Sequence, residues 1–114
     1  MPGPEPTPSI LLLGRLPFDL ASLGRQVDLD RFDVHTGTSL DEARAVLAEH
    51  PIEMVIMGAG LPLDVRLAVV EHVFSVSDST TVHMKDRASG RSGFVPFLRT
   101  LLESTRRSTA AAEG

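Results

Sequence analysis

The chain has no cysteine, tryptophan or tyrosine, and its only lysine is Lys85. Without cysteine there can be no disulfide framework, no thiolate nucleophile and no metal site built on cysteine. Of Phe, Trp and Tyr, only phenylalanine occurs, and it occurs five times. With so few aromatic side chains, a platform for stacking nucleic-acid bases is not expected. A formal net charge of −4 also argues against a nucleic-acid or anionic-membrane surface.

The sequence contains no membrane or export signal of the usual kinds. No apolar run approaches the roughly 18 residues that a bilayer-spanning helix needs. The first eight residues alternate proline with small or polar residues and lack the basic and apolar regions of a signal peptide. We therefore expect a cytoplasmic protein with no membrane partner.

The length of 114 residues fits one domain. We predict a disordered, proline-rich leader over residues 1–8, a single α/β domain over 9–104, and a disordered tail over 105–114.

Segments typical of strands alternate with segments typical of helices in the domain. The predicted strands are 10–13, 32–36, 53–57 and 81–85. Apolar residues at helical spacing predict four helices, with the stripes Leu16, Leu20, Leu23 and Val27; Leu40, Ala43, Val46 and Leu47; Leu63, Leu67, Val70 and Phe74; and Phe94, Phe97, Leu98, Leu101 and Leu102. Pro17 and Pro62 are expected to open the first and third helices, and Ser39 with Glu42 to form a capping box at the second.

The character of the strands predicts their order. Strand–helix alternation implies a parallel sheet with right-handed crossovers. Central strands of such a sheet read as unbroken apolar runs, as 10–13 and 53–57 do, whereas 32–36 and 81–85 alternate in polarity. We predict a three-layer α/β/α fold with a four-stranded parallel sheet of order 2-1-3-4, built on the flavodoxin-like pattern. In such sheets ligands bind beyond the carboxyl ends of the strands, at the switch point between the first and third.

Residues 54–62 carry a resemblance to a known family. An apolar strand, Val55-Ile56-Met57, runs into Gly58 and then the pair Leu61-Pro62. Together with the apolar first strand and the capped second helix, this pattern resembles bacterial response-regulator receiver domains over about residues 9–76. The resemblance implies a flavodoxin-like, Rossmann-like fold and a regulatory role.

The chain departs from the receiver pattern at its chemistry. The family's acidic pair, which holds Mg²⁺, falls on Gly14 and Arg15, and its phosphoacceptor aspartate falls on Gly58. Its Ser or Thr after the fourth strand falls near Lys85 or Asp86, and its lysine of the fifth strand has no counterpart. Mg²⁺ needs oxygen ligands, and acyl phosphate formation needs a carboxylate nucleophile. We therefore expect a pseudo-receiver: a non-enzymatic regulatory or protein-interaction domain with no aspartyl phosphorylation, no metal and no cofactor.

Three glycine-bearing loops support an alternative function. Glycine lets backbone N–H groups approach a ligand closely, and helix N-termini attract anions. The alternative is a small-molecule binder that holds a nucleotide or other anion at the carboxyl ends of the strands. The candidate residues are Gly14, Arg15, Gly58, Ala59, Gly60, Lys85, Arg87, Ser89, Gly90, Arg91, Ser92 and Gly93. The competing interpretation is that these glycines only shape tight turns, since neither the dinucleotide nor the Walker spacing is present.

The histidines are candidate metal ligands, and the last strand is a candidate subunit contact. No two of His35, His50, His72 and His83 have metal-ligand spacing, so we interpret them as surface or helix-capping residues. Without a fifth strand, 80–85 would be an exposed sheet edge, which invites pairing unless charged residues blunt it. We predict a homodimer through this edge, or through the helix faces nearby, unless Lys85 and His83 protect the edge.

Overall fold

The computed structural model describes residues 7–58, 60–85 and 94–113, with side chains described as far as Glu103. Along this part of the chain, strands and helices alternate as predicted. The strands are β1 (Ser9–Leu13), β2 (Asp33–Gly37), β3 (Met54–Met57) and β4 (Thr81–Met84). The helices are α1 (Leu20–Gly24), α2 (Leu40–Glu49), α3 (Leu63–Val76) and α4 (Phe94–Glu113).

The two ends of the chain bear on the predicted domain limits. Most of the leader predicted to be disordered, residues 1–6, lies outside the described residues. The backbone of α4 is helical through Glu113, across most of the stretch for which the sequence predicts a disordered tail. Disorder at either end stays a prediction.

The four strands form one parallel sheet in the order β2-β1-β3-β4, which confirms the predicted fold class and strand order. β1 lies between β2 and β3, with Leu12 level with Thr36 on one side and Ile56 on the other. β1 and β3 are buried almost throughout, because helices cover both faces of the central strands. β2 and β4 form the edges and are more exposed.

Alternate side chains of the central strands enter two separate cores. Ile10 and Leu12 of β1 pack with Ile56 of β3 and with Leu98 and Leu102 of α4. The intervening residues of β1 and β3 face the other side, where Ala43 of α2 and two valines of α3 cover them. The sheet is thus the middle of three layers, with α1 and α4 on one face and α2 and α3 on the other.

The second helix begins with a modified capping box. Ser39 Oγ accepts a hydrogen bond from the Glu42 N–H at 3.1 Å, as the sequence predicts. The Glu42 carboxylate, however, accepts from the hydroxyl and the N–H of Thr38, both at 2.7 Å, instead of from Ser39. Two hydrogen bonds hold the pKa of Glu42 below its usual value: mainly the bond from the Thr38 hydroxyl, and to a lesser extent the bond from the Thr38 N–H. An ionised Glu42 also suits the positive end of the helix.

The first helix is shorter than the sequence predicts. It begins at Leu20, not near Pro17, because Asp19 caps it by accepting from the Ser22 N–H at 3.1 Å. The preceding Phe18 is drawn toward the core, where its ring stacks on Phe94 with centroids 5.4 Å apart. Leu16 is therefore not part of a buried stripe and is 66% exposed.

The third helix packs with a different side from the one that the sequence indicates. Its buried residues are Arg66, Val69 and Val73. In the predicted stripe, by contrast, Leu63, Leu67 and Phe74 are exposed and Val70 is half-buried. Residues of α3 are apolar on nearly all sides, so spacing alone selected the wrong face.

Removing the α2 cap tests this description of the fold. Substitution Ser39→Ala should lower the free energy of unfolding by about 1 kcal/mol, because the Glu42 N–H loses its acceptor. Urea unfolding followed by circular dichroism measures the change. Ser79→Ala, in the exposed turn before β4, is the matched control and should stay within about 0.5 kcal/mol of the parent. Equal losses in both variants would contradict the assigned cap.

Candidate functional site

The carboxyl ends of the strands meet at one side of the sheet, which we call the carboxyl edge. Backbone hydrogen bonds extend one residue past each strand: Gly14 N–H donates to Gly37 O at 3.2 Å, and Gly58 N–H donates to Leu13 O at 2.9 Å. Lys85 N–H donates to Met57 O at 3.0 Å. Three residues of the predicted site therefore lie side by side, although they come from separate segments of the chain: Gly14, Gly58 and Lys85.

The loops after β1 and β3 form one continuous surface. A Cβ built on Gly60 would lie 3.2 Å from Arg15 Cβ and 4.0 Å from Arg15 Cδ, so the exposed Arg15 lies over Gly60. The structure thus brings together five of the predicted site residues: Gly14, Arg15, Gly58, Gly60 and Lys85.

The other predicted site residues lie outside the described residues. They are Ala59, Arg87, Ser89, Gly90, Arg91, Ser92 and Gly93. Their place in a site stays a prediction.

Packing against the described residues does not require glycine at position 58. The nearest atom to a Cβ built on Gly58 is Leu13 O, at 3.8 Å, which leaves room for a side chain. At the end of β2, by contrast, a Cβ on Gly37 would meet Leu13 Cδ2 at 3.0 Å and Glu42 Cβ at 3.2 Å. Among the described residues, Gly58 therefore has room for a Cβ at the switch point, where ligands of such sheets bind.

Two basic residues are buried in this part of the fold. Lys85 is 3% exposed directly after β4, and Arg66 is 8% exposed on the side of α3 that faces the sheet. The Nε atom of Arg66 is buried without a hydrogen-bond partner. Arg66 is not among the site residues predicted from the sequence. Its spacing from Val69 and Val73, three and seven residues on, was the signal that could have placed it on the buried face.

Two of the histidines contact each other, which the sequence did not indicate. His35 of β2 stacks on His50, which caps the end of α2, with ring centroids 4.2 Å apart. Asp33 lies 2.9 Å from His35 Nε2 and accepts from the Ser9 hydroxyl at 3.2 Å. The bond with His35 is the main reason why the pKa of Asp33 is lowered. Among the described residues no group of three or more metal-ligating side chains is placed to hold an ion.

Exposed apolar side chains concentrate on α3 and β4. Seven large ones are exposed in the described part of the chain, and five of these belong to α3 and β4. Four of the five form what we call the α3–β4 face: Leu63, Leu67, Phe74 and Met84, which are 55%, 53%, 63% and 42% exposed.

The α3–β4 face points to the open side of the sheet. At 100° per residue, its three α3 residues lie roughly a quarter-turn from the buried Arg66, Val69 and Val73. Since α2 packs against α3, an exposed flank must face away from α2 and toward β4. β4 has a neighbouring strand on one side only in the described sheet. The outer side of β4 and this flank of α3 are thus contiguous.

Comparison with known proteins assigns no family. The chain matches no protein-family model, and no curated protein matches it. Among the described helices, none combines the length and the apolar character that crossing a membrane would require.

Alanine substitutions at two glycines test the geometry of the carboxyl edge. Gly37→Ala should cost about 1–3 kcal/mol of unfolding free energy, because the new methyl group meets Leu13 and Glu42. Gly58→Ala should change it by less than about 0.5 kcal/mol, since the space there is open. Urea unfolding of both variants gives the comparison, and a larger loss at Gly58 would refute the open site.

Proposed function

We propose that this chain is a non-enzymatic, receiver-like regulatory module that acts through protein contact and forms a homodimer through its α3–β4 face. The observation that carries the proposal is the concentration of exposed apolar side chains beside β4, whose outer side has no neighbouring strand in the described sheet. Contiguous apolar patches on soluble domains mark interaction sites.

Within the described part of the chain, β4 lacks several of the features that protect sheet edges. Natural edges are blunted by charged side chains, by proline or by bulges, and the four residues of β4, Thr-Val-His-Met, include neither proline nor a carboxylate nor a lysine. The sequence suggested Lys85 and His83 as blunting charges. Lys85 is buried, and partial burial lowers the pKa of His83, which favours its neutral form at pH 7. A second copy would supply the protection that the edge lacks.

The composition of the face suits contact with an identical surface. A two-fold axis places the same patch on both subunits, and the four side chains of the face carry no charge that would meet its own image. Antiparallel pairing of two β4 strands would bring the exposed flanks of two α3 helices together above the joined sheet. The carboxylates of Asp64 and Glu71 are exposed beside the stripe, where they remain in water.

The carboxyl edge favours binding over catalysis. Its described residues at the ends of β1 and β3 are glycines and Arg15, with no carboxylate to hold Mg²⁺ or to accept a phosphoryl group. Asp64 is exposed, in the first turn of α3. Glu42, near the end of β2, is engaged by Thr38.

Charged substitutions on the face test the dimer. In sedimentation velocity, the parent should associate with increasing concentration, whereas Leu67→Lys and Phe74→Lys should remain monomeric, because each charge would be buried in the contact. Both residues are more than half exposed in the single chain, so circular dichroism should show intact folding. Leu16→Lys is the matched control, since Leu16 is 66% exposed away from this face, and it should associate like the parent. A parent that is strictly monomeric at high concentration would exclude the homodimer.

Incubation with a small-molecule phosphodonor and Mg²⁺ tests whether the module acts without aspartyl phosphorylation. We expect no added phosphate by intact mass, because Gly58 occupies the position of the receiver nucleophile. Gly58→Asp is a useful companion, since the side chain fits there, yet Gly14 and Arg15 still offer no metal ligands. An acid-stable, base-labile acyl phosphate on the parent chain would contradict the proposal.

A further inference from the structure

A buried arginine at the start of α3 has no acceptor for its guanidinium Nε. Arg66 is 8% exposed, and Nε has no hydrogen-bond partner in the described part of the chain. None of the ion pairs there includes Arg66. A buried donor that is left without an acceptor costs stability. The position is therefore one that an anion would complete.

The fold directs Arg66 toward the carboxyl edge. Val69 and Val73 of α3 pack in the same core as Val55 and Met57 of β3. α3 runs back along the sheet from the carboxyl edge, so Arg66, one turn nearer its start, lies beyond Met57 toward Gly58. Helical side chains also lean toward the N-terminus of their helix. Arg66 therefore lies on the side of α3 that faces the sheet, near the carboxyl edge.

The first turn of α3 offers free backbone donors at the same place. Its cap residue is Pro62, which provides no side-chain hydrogen bond. The first bond of the helix runs from Arg66 N–H to Pro62 O at 3.0 Å, so the N–H groups of Leu63, Asp64 and Val65 have no acceptor within the helix. These groups carry the positive end of the helix dipole. The Asp64 carboxylate is exposed and lies roughly on the opposite side of the helix from Arg66.

We infer that Arg66, the first turn of α3 and Gly58 form a binding site for a tetrahedral phosphate group, as inorganic phosphate or a phosphate monoester. The planar guanidinium donates to two oxygens of one phosphate, which suits it to this group. The free N–H groups supply further donors, and apart from its chain neighbours no described side chain lies within 4 Å of a Cβ built on Gly58. The site uses the backbone N–H of Leu63, whereas the α3–β4 face uses the Leu63 side chain, and phosphate binding does not depend on dimer formation.

Titration of the full chain with inorganic phosphate, at constant ionic strength, tests the site. Because the chain has neither Trp nor Tyr, binding is followed by amide chemical shifts in two-dimensional NMR. The amides of Gly58, Gly60, Leu63, Asp64 and Val65 should shift saturably. A second titration uses ribose 5-phosphate: affinity about tenfold tighter than that of inorganic phosphate would identify a monoester as the ligand, and equal affinity would identify phosphate itself.

Paired substitutions assign the effect to Arg66. Arg66→Met keeps the length of the side chain and removes a buried donor without an acceptor, so the variant should fold. Its phosphate affinity should fall about tenfold or more. Arg44→Met, which removes the same charge from an exposed position on α2, should change affinity by less than about twofold. The inference is overturned if the parent shows no saturable shift, or if both variants weaken binding equally. The parent titration decides the question even if Arg66→Met does not fold.

Discussion

Parallel pairing of β1 with strands on both sides positions every other feature of the molecule. β1 is hydrogen-bonded to β2 and β3, and its residues Ile10 to Leu13 are almost completely buried. Because the strands run in the same direction, each connecting helix must return the chain across a face of the sheet. α2 and α3 therefore begin at the carboxyl edge, and this is why the turn at Gly58 and the uncapped start of α3 lie together.

The small number of strands has a direct consequence for the surface. α4 packs on the opposite face from α3, with Leu98 and Leu102 in the core beside Ile56. The outer side of β4 and the adjoining flank of α3 are consequently uncovered in the described part of the chain, although Leu67 and Phe74 are apolar. The proposed interface thus follows from the edge of the sheet, and the proposed phosphate site from its carboxyl ends. The two surfaces share α3 but use different sides of it.

The sequence predicts those features that local pattern decides, and fails where tertiary packing decides. Unbroken apolar runs identified the central strands, and hence the strand order, because burial on both faces leaves no room for polar residues. In α3, two stripes satisfy helical spacing, and only contact with the sheet determines that Val69 is buried and Leu67 is not. Arg66 was missed for this reason. The stacking of His35 on His50 was equally hidden, because it depends on how the α2 crossover ends.

The most direct test of the proposed interface between two copies at the open edge is hydrogen exchange at the amides of β4. Thr81 and Lys85 donate their N–H groups inward to Glu53 and Met57, so by strand alternation the N–H groups of Val82 and Met84 point outward. If two copies pair through this edge, exchange at Val82 and Met84 should be fast in dilute solution and should slow as protein concentration rises. The amide of Thr81 should be protected at every concentration. Fast exchange at Val82 and Met84 at every concentration would contradict the proposed interface.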